Sequence, residues 1–593
     1  MGFTGALFLA IVRLAGAQSG PSSEQAPLSE DELALLASLT STPTTEAVDN
    51  TEAQEDEFHV RTLARSLAEA LDSMPSAFRT YRGRDHLVLI RDGVRLPTTH
   101  SFARLQDGWL SLSPHVVNEV QWSRRAVVKN GGLGLEAHID SPDTPQRGWV
   151  SAAQTVARTA DRGLGASGRV GFGQPGRGFV LAGQYDSLPT LRLQSRDGAE
   201  DGDRLGRRWS VHFRALEWDG AVRIGADWTR RGPSSIEGPR PQEQSRLDHG
   251  LAFITIGGPY LRLTAAYLRD ERRSSAGPTA TDRAQMTLQS EWTLSESWRL
   301  SAGIWAQYDD QSFGDRTGTS LRAEPWLDLR FSSRGFHLEL TGKALTGFVS
   351  ADGQRQIDGV RPQAAVTASG PLVGALGWNL ALQLNSHLPQ PWNLPQTSDG
   401  VQTFETSWGA TAGTTWRGDR GELQANLFYQ RVRDYWARPV VIIDDRQDGR
   451  FEVFGVELDA AWRPLPGLDL RANLGWAEDI LMDTSLEPIR PAGAKLRGLI
   501  SVRYAFGIRR GFVEFHTRWI TDTLAVGEQP RLNTQAGDPV RVGLMGGVDL
   551  GRGLSLLIAV ENMLDAAYDD PMIDRDHIGL DARIALSFTS ARL

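Results

Sequence analysis

The sequence predicts an all-β membrane protein: a large antiparallel transmembrane β-barrel of about 22 strands, an even number as bacterial barrels require, behind a small N-terminal α+β domain. Three observations predict it. From residue 147 onward apolar and polar residues alternate in arms about ten residues long, the length that crosses a bilayer when a strand is tilted. In Phe451–Asp479, Val456, Leu458, Ala460 and Trp462 share one face and Glu457 and Asp459 the other; Leu468, Leu470, Ala472, Leu474 and Trp476 then alternate with Asp469, Arg471 and Asn473. A polar opposite face suits a wet lumen, whereas soluble strands run only about five or six residues. Finally, 16 of the 18 Trp lie after residue 147, and Trp218, Trp298, Trp378, Trp392 and Trp436 fall near strand ends, as an aromatic girdle needs.

The elements follow in chain order. Residues 1–17 form an expected signal peptide, with an apolar run from Gly5 to Val12 and a small-residue cleavage site at Ala15-Gly16-Ala17. Residues 18–57 hold ten Asp or Glu and no Lys or Arg, which predicts a flexible acidic leader. Within it Ser29 and Glu32 make a capping box for one short helix, and an extended "SLTSTPTTEA" (Ser38 to Ala47) follows.

Residues 58–146 read as the α+β domain. Ser66 and Glu69 cap a helix carrying Leu67, Ala70, Leu71 and Met74 on one face, and Pro75 ends it. The stretch "HLVLIRDGVRLP" (His86 to Pro97) breaks the later alternation: Leu87 to Ile90 are all apolar, and an Asp92-Gly93 turn pair follows. A continuous apolar run predicts a strand packed on both faces. Val116–Trp122 and Leu135–Ile139 are two further expected strands. Residues 147–593 are the barrel. Gly421–Trp436 repeats its pattern with Leu423, Ala425, Leu427 and Tyr429, and so does the last arm with Leu580, Ala582, Ile584, Leu586 and Phe588. Pro464 to Gly467 is an expected turn.

Several chemistries find no support. A net charge of −9 leaves no footprint for nucleic acid. The chain has no Cys and its His show no zinc spacing, so no metal site or cofactor is expected. Gly132-x-Gly134-x-x-Ala137 has the form of a dinucleotide fingerprint, but Pro142 comes too soon for the helix that must follow. Asp444–Gly449 lacks the alternating ligands of a calcium loop and reads as a connection. Only three of the 63 basic residues are Lys, a bias that coding composition explains. No enzyme activity is expected.

Read together and in order, these segments resemble the TonB-dependent outer-membrane receptors. Val88–Leu96 is similar to their plug strand followed by Asp-Gly-Val-Arg, here Asp92, Gly93, Val94 and Arg95, with Arg91 inserted before the Asp. Ser66–Phe78 resembles their Pro-Gly-Val helix, with Ser76 for the Gly. Leu112–Arg125 resembles the strand before an Arg-Gly-Pro turn, which reads Ser123-Arg124-Arg125 here. Gly131–Asp140 stands at their Gly-rich turn and strand. Phe454–Glu478 is similar to a mid-barrel signature, and Leu557–Tyr568 to the penultimate strand and its turn. The span from Phe58 to Ile139 is shorter than the family's plug, and the chain ends "FTSARL" rather than on an aromatic residue.

The resemblance implies a monomeric receptor of the bacterial outer membrane, surrounded by lipid, with the α+β domain as a plug in the lumen. Its ligand would be a small molecule or oligosaccharide of the siderophore, cobalamin or saccharide class, imported with force from the periplasmic TonB complex. The resemblance places the TonB contact in the leader, at Leu39, Thr40, Ser41, Thr42, Thr44 and Thr45. Two other readings stay open: a receptor-like barrel with a reduced plug that binds at the surface but no longer transports, and a passive porin, which a folded plug argues against. Ligand-facing residues are not legible.

Overall fold

The computed structural model describes residues 88–96, 119–123, 136–140 and 145, and from 148 to 590 the barrel strands, the short turns between them and two small hairpins. The signal sequence, the acidic leader with Leu39–Thr45, the helix expected over 66–74 and the segment 444–449 lie outside the described residues.

Twenty-two strands form one closed antiparallel barrel. It runs in sequence order from Gly148–Arg158 to Asp581–Thr589, and these two strands pair to close it (Ile584 opposite Ala157, Phe588 opposite Ala153). At this seam Val156, Ala559 and Ala585 pack together on the inside.

The alternation has the physical meaning expected of it. Leu423 and Leu427 are 46% and 60% exposed on the outside, whereas Gln424 and Asn426 between them are buried inside. In the last strand Ile584 faces out and Asp581 and Arg583 face in. Apolar side chains outside and polar ones inside fit a barrel with lipid around it and a polar interior.

The two rims differ. At one, two-residue turns such as Pro175-Gly176, Arg334-Gly335 and Arg552-Gly553 join the strands. At the other, intervals such as 434–449 and 522–539 separate them. Short turns mark the periplasmic rim of such barrels and long loops the outer one. Gly148, where the chain enters the barrel, pairs with Gly173 at the short-turn rim. Trp298, Phe331, Phe336 and Trp378 form a chain of ring contacts there, 4.8 to 6.2 Å between centroids. Trp298 and Trp378 thus lie in a girdle; Trp218, Trp392 and Trp436 are outside the described residues.

The turn expected at 464–467 is tighter than it reads. The strand Arg450–Leu465 continues to Leu465, which pairs with Leu468, and Arg463-Pro464 is accommodated in a register shift. Proline is tolerated there because a bulge demands no ladder donor.

Ahead of the barrel, β1 (Val88–Arg91), β2 (Val94–Arg95), β3 (Glu119–Ser123) and β4 (Glu136–Asp140) make a sheet of order β2-β1-β4-β3. β1 is antiparallel to β2 and parallel to β4. Its inner position explains why its sequence does not alternate. Asp92 and Gly93 form the two-residue turn, both with positive φ (50° and 84°), the conformation that makes Asp-Gly a hairpin signal.

Candidate functional site: the plug hairpin against the barrel wall

The tip of the β1–β2 hairpin is fixed to the inner wall by buried charges. Arg91, the residue that breaks the apolar run, is fully buried, and its Nε lies 3.2 Å from Asp227 Oδ2 on the strand Val222–Ser234. Arg214, on the strand Gly206–Glu217, donates to both oxygens of Asp227 at 2.8 and 2.9 Å. The same guanidinium donates to Asp92 Oδ2 of the hairpin, through Nε at 2.8 Å and Nη2 at 2.6 Å. His212 Nδ1 sits 2.9 Å from Asp227 Oδ1 and 3.4 Å from Arg91 Nη2.

Two guanidinium groups thus face two carboxylates across the hairpin–wall boundary. Burial lowers the Arg91 pKa and the Asp227 carboxylate opposes that shift. A matched set is how such charges survive out of water, since an unpaired one is strongly destabilising.

A second group of contacts lies further along the wall. Gln285 Nε2 donates to the Arg95 carbonyl. The Arg95 guanidinium stacks over Trp305, 5.1 Å from the ring centroid. Val94 and Leu96 are each 1% exposed. The four residues of the Asp-Gly-Val-Arg stretch therefore differ in what they do. Asp92 supplies an ionic contact, Gly93 the turn, Val94 a buried apolar side chain, and Arg95 a stacking and a backbone contact. Asp227, Arg214 and His212 were not singled out from sequence. Their signal, charged residues on the inward phase of an arm, is shared by many positions, and nothing local says which arms meet the hairpin.

Beyond the hairpin the inner wall is polar and carries further ion pairs. Arg283 and Asp309 bind through two contacts at 2.5 and 3.1 Å, Lys343 pairs with Glu324, and Asp186 binds Arg158 and Arg208. No group of His, Asp and Glu suited to a metal ion occurs among the described residues.

Neither a protein-family model nor a curated protein matches the sequence. Solved structures do match in shape. The FrpB iron transporter from Neisseria meningitidis superposes with a TM-score of 0.76 at 12% identity, covering 91% of this chain and 100% of that one. The copper transporter OprC gives 0.73 at 12% identity, covering 91% and 99%. The ferric citrate transporter FecA gives 0.71 at 13% identity, covering 91% and 97%. These neighbours are TonB-dependent receptors. The fold is that of the TonB-dependent outer-membrane receptors. At such low identity the agreement concerns architecture, a closed barrel of 22 strands. The β1–β2 hairpin is bonded to the barrel wall.

Proposed function

We propose that this protein is an energised receptor of the bacterial outer membrane. It takes a scarce solute at the long-loop rim and admits it to the periplasm when force on the leader displaces the plug. The observation that carries the reading is the set Arg91, Asp92, Arg214 and Asp227, all buried but for the half-buried Asp92, which ties a small domain to the wall of an otherwise wide barrel. A barrel that passed solutes passively would have no use for a tethered stopper. The structural neighbours named above are transporters and receptors, which supports the same role.

In this proposal Leu39 to Thr45 pair with TonB by strand addition, an interaction carried by backbone groups. The Thr-rich composition favours an extended chain. Pro43 lacks a donor, so pairing uses the residues beside it. The leader's acidic residues speed encounter with a basic partner, an effect that salt weakens.

The test is uptake by a deletion strain complemented with variants, assayed on a panel of iron chelates and oligosaccharides. Thr40→Pro and deletion of residues 39–45 should stop uptake without changing barrel assembly or the amount of protein at the surface. Normal uptake in both variants would show that coupling does not run through this segment. Surface binding without uptake in the unmodified protein would favour the receptor-like barrel that no longer transports.

A further inference from the structure

One part of the inner wall, near Arg95 of the hairpin, is polar, buried and only partly satisfied. Arg322, on the strand Arg316–Ser333, is 5% exposed. Its Nη2 donates to the Leu388 carbonyl at 3.0 Å, its Nε has no partner, and no carboxylate pairs with it among the described residues. The nearest candidates are occupied: Asp309 by Arg283, and Glu324 by Lys343. A buried charge that makes no direct ion pair is costly.

Three further side chains meet the same stretch of chain. Gln363 donates through Nε2 to the Ser386 carbonyl at 2.7 Å, and its Oε1 is unpartnered. Asn385 is 1% exposed with both amide atoms unpartnered. Ser407 lies opposite Asn385 in the ladder, 1% exposed, with its hydroxyl unpartnered. So Arg322 and Gln363 reach Leu388 and Ser386, next to the Asn385–Ser407 pair. Close to them, Leu345, Val349, Leu388 and Phe404 form a buried apolar cluster, which lowers the local dielectric and strengthens any polar contact made there.

Resting on the receptor reading above, we infer that Arg322, Gln363, Asn385 and Ser407 form a solute-binding site for a hydroxylated carboxylate. The guanidinium takes the carboxylate, for which its planar fork is matched. The Asn385 amide offers a donor and an acceptor to a hydroxyl pair, Ser407 either role, and Gln363 an acceptor. Two sources carry this chemistry, an acidic oligosaccharide and a hydroxycarboxylate metal chelate.

The test is calorimetric titration of the full chain in detergent micelles with four probes: a galacturonate trisaccharide, ferric citrate, neutral maltotriose and a ferric trihydroxamate. One of the two carboxylate probes should bind and its carboxylate-free counterpart should not; which one binds identifies the source. Loss of a charge-assisted contact in Arg322→Met should weaken that binding about tenfold or more, and Asn385→Ala about fivefold. Arg322→Met should leave the unfolding temperature unchanged or raised, because it removes a buried charge that makes no direct ion pair. No binding of either carboxylate probe, equal binding of the neutral counterparts, or full affinity in Arg322→Met would overturn the site. A lowered unfolding temperature with intact binding would assign Arg322 a structural role and overturn it too. The receptor reading fails separately, since leader variants act on uptake and leave binding to the purified protein intact.

Discussion

Ile584 and Arg583 are neighbours in the last barrel strand and face different media. Ile584 is 48% exposed on the outer surface. Placing arginine there sets a charge against hydrocarbon, so Ile584→Arg should cost about 2–4 kcal/mol near the bilayer midplane. Folding titrations in lipid vesicles measure it. From strand phase alone Arg583 belongs to a wet face, where Arg583→Ile would be cheap. The structure corrects that: Arg583 is buried and donates to the buried Asp581 at 2.6 Å. Breaking such a pair costs about 3–5 kcal/mol, so both substitutions should destabilise. Asp581→Asn should partly rescue only the second; rescue of Ile584→Arg would show that the outer face was misassigned. The wall residue Asp227 can be weighed in the same way. Arg91→Met, Asp227→Asn and the double variant should show a coupling energy of about 0.5–3 kcal/mol, as residues in one network do. Additive effects would mean that the hairpin is not held by this pair.

At the scale of an element, the β1–β2 hairpin is the piece of the fold most legible beforehand. Four apolar residues in a row gave the inner strand, and Asp-Gly gave a turn that only positive φ permits. A β-branched residue at Gly93, where φ is 84°, should cost about 1–2 kcal/mol. Gly93→Val should therefore loosen the hairpin while the barrel stays folded. Hydrogen exchange of residues 88–96 against the barrel strands reads this directly; unchanged protection of the hairpin would contradict the turn assignment. Arg91 shows the limit of such reading. In sequence it is an insertion that spoils a motif. In space it is the buried partner of Asp227, 136 positions ahead in the chain, and no local pattern could pair the two.

At the scale of the whole molecule, the barrel was legible because its signal repeats. Alternation fixes which face meets lipid, arm length fixes that the strands cross a bilayer, and strand number follows by counting. Register details such as the shift at Arg463-Pro464 were not, since proline reads as a turn whether it ends a strand or sits in a bulge. The site around Arg322 was not legible either. Its residues come from four strands, and only their convergence on the 385–388 stretch sets them apart from other inward-facing polar positions. What the whole account depends on is that a wide lumen is closed by a domain tied to its wall. Conductance in planar lipid bilayers tests this most directly. The full chain should insert without opening, and a chain lacking residues 58–146 should give large, steady conductance steps. Large steady conductance from the full chain would contradict the account, for the lumen would then be open with its plug in place.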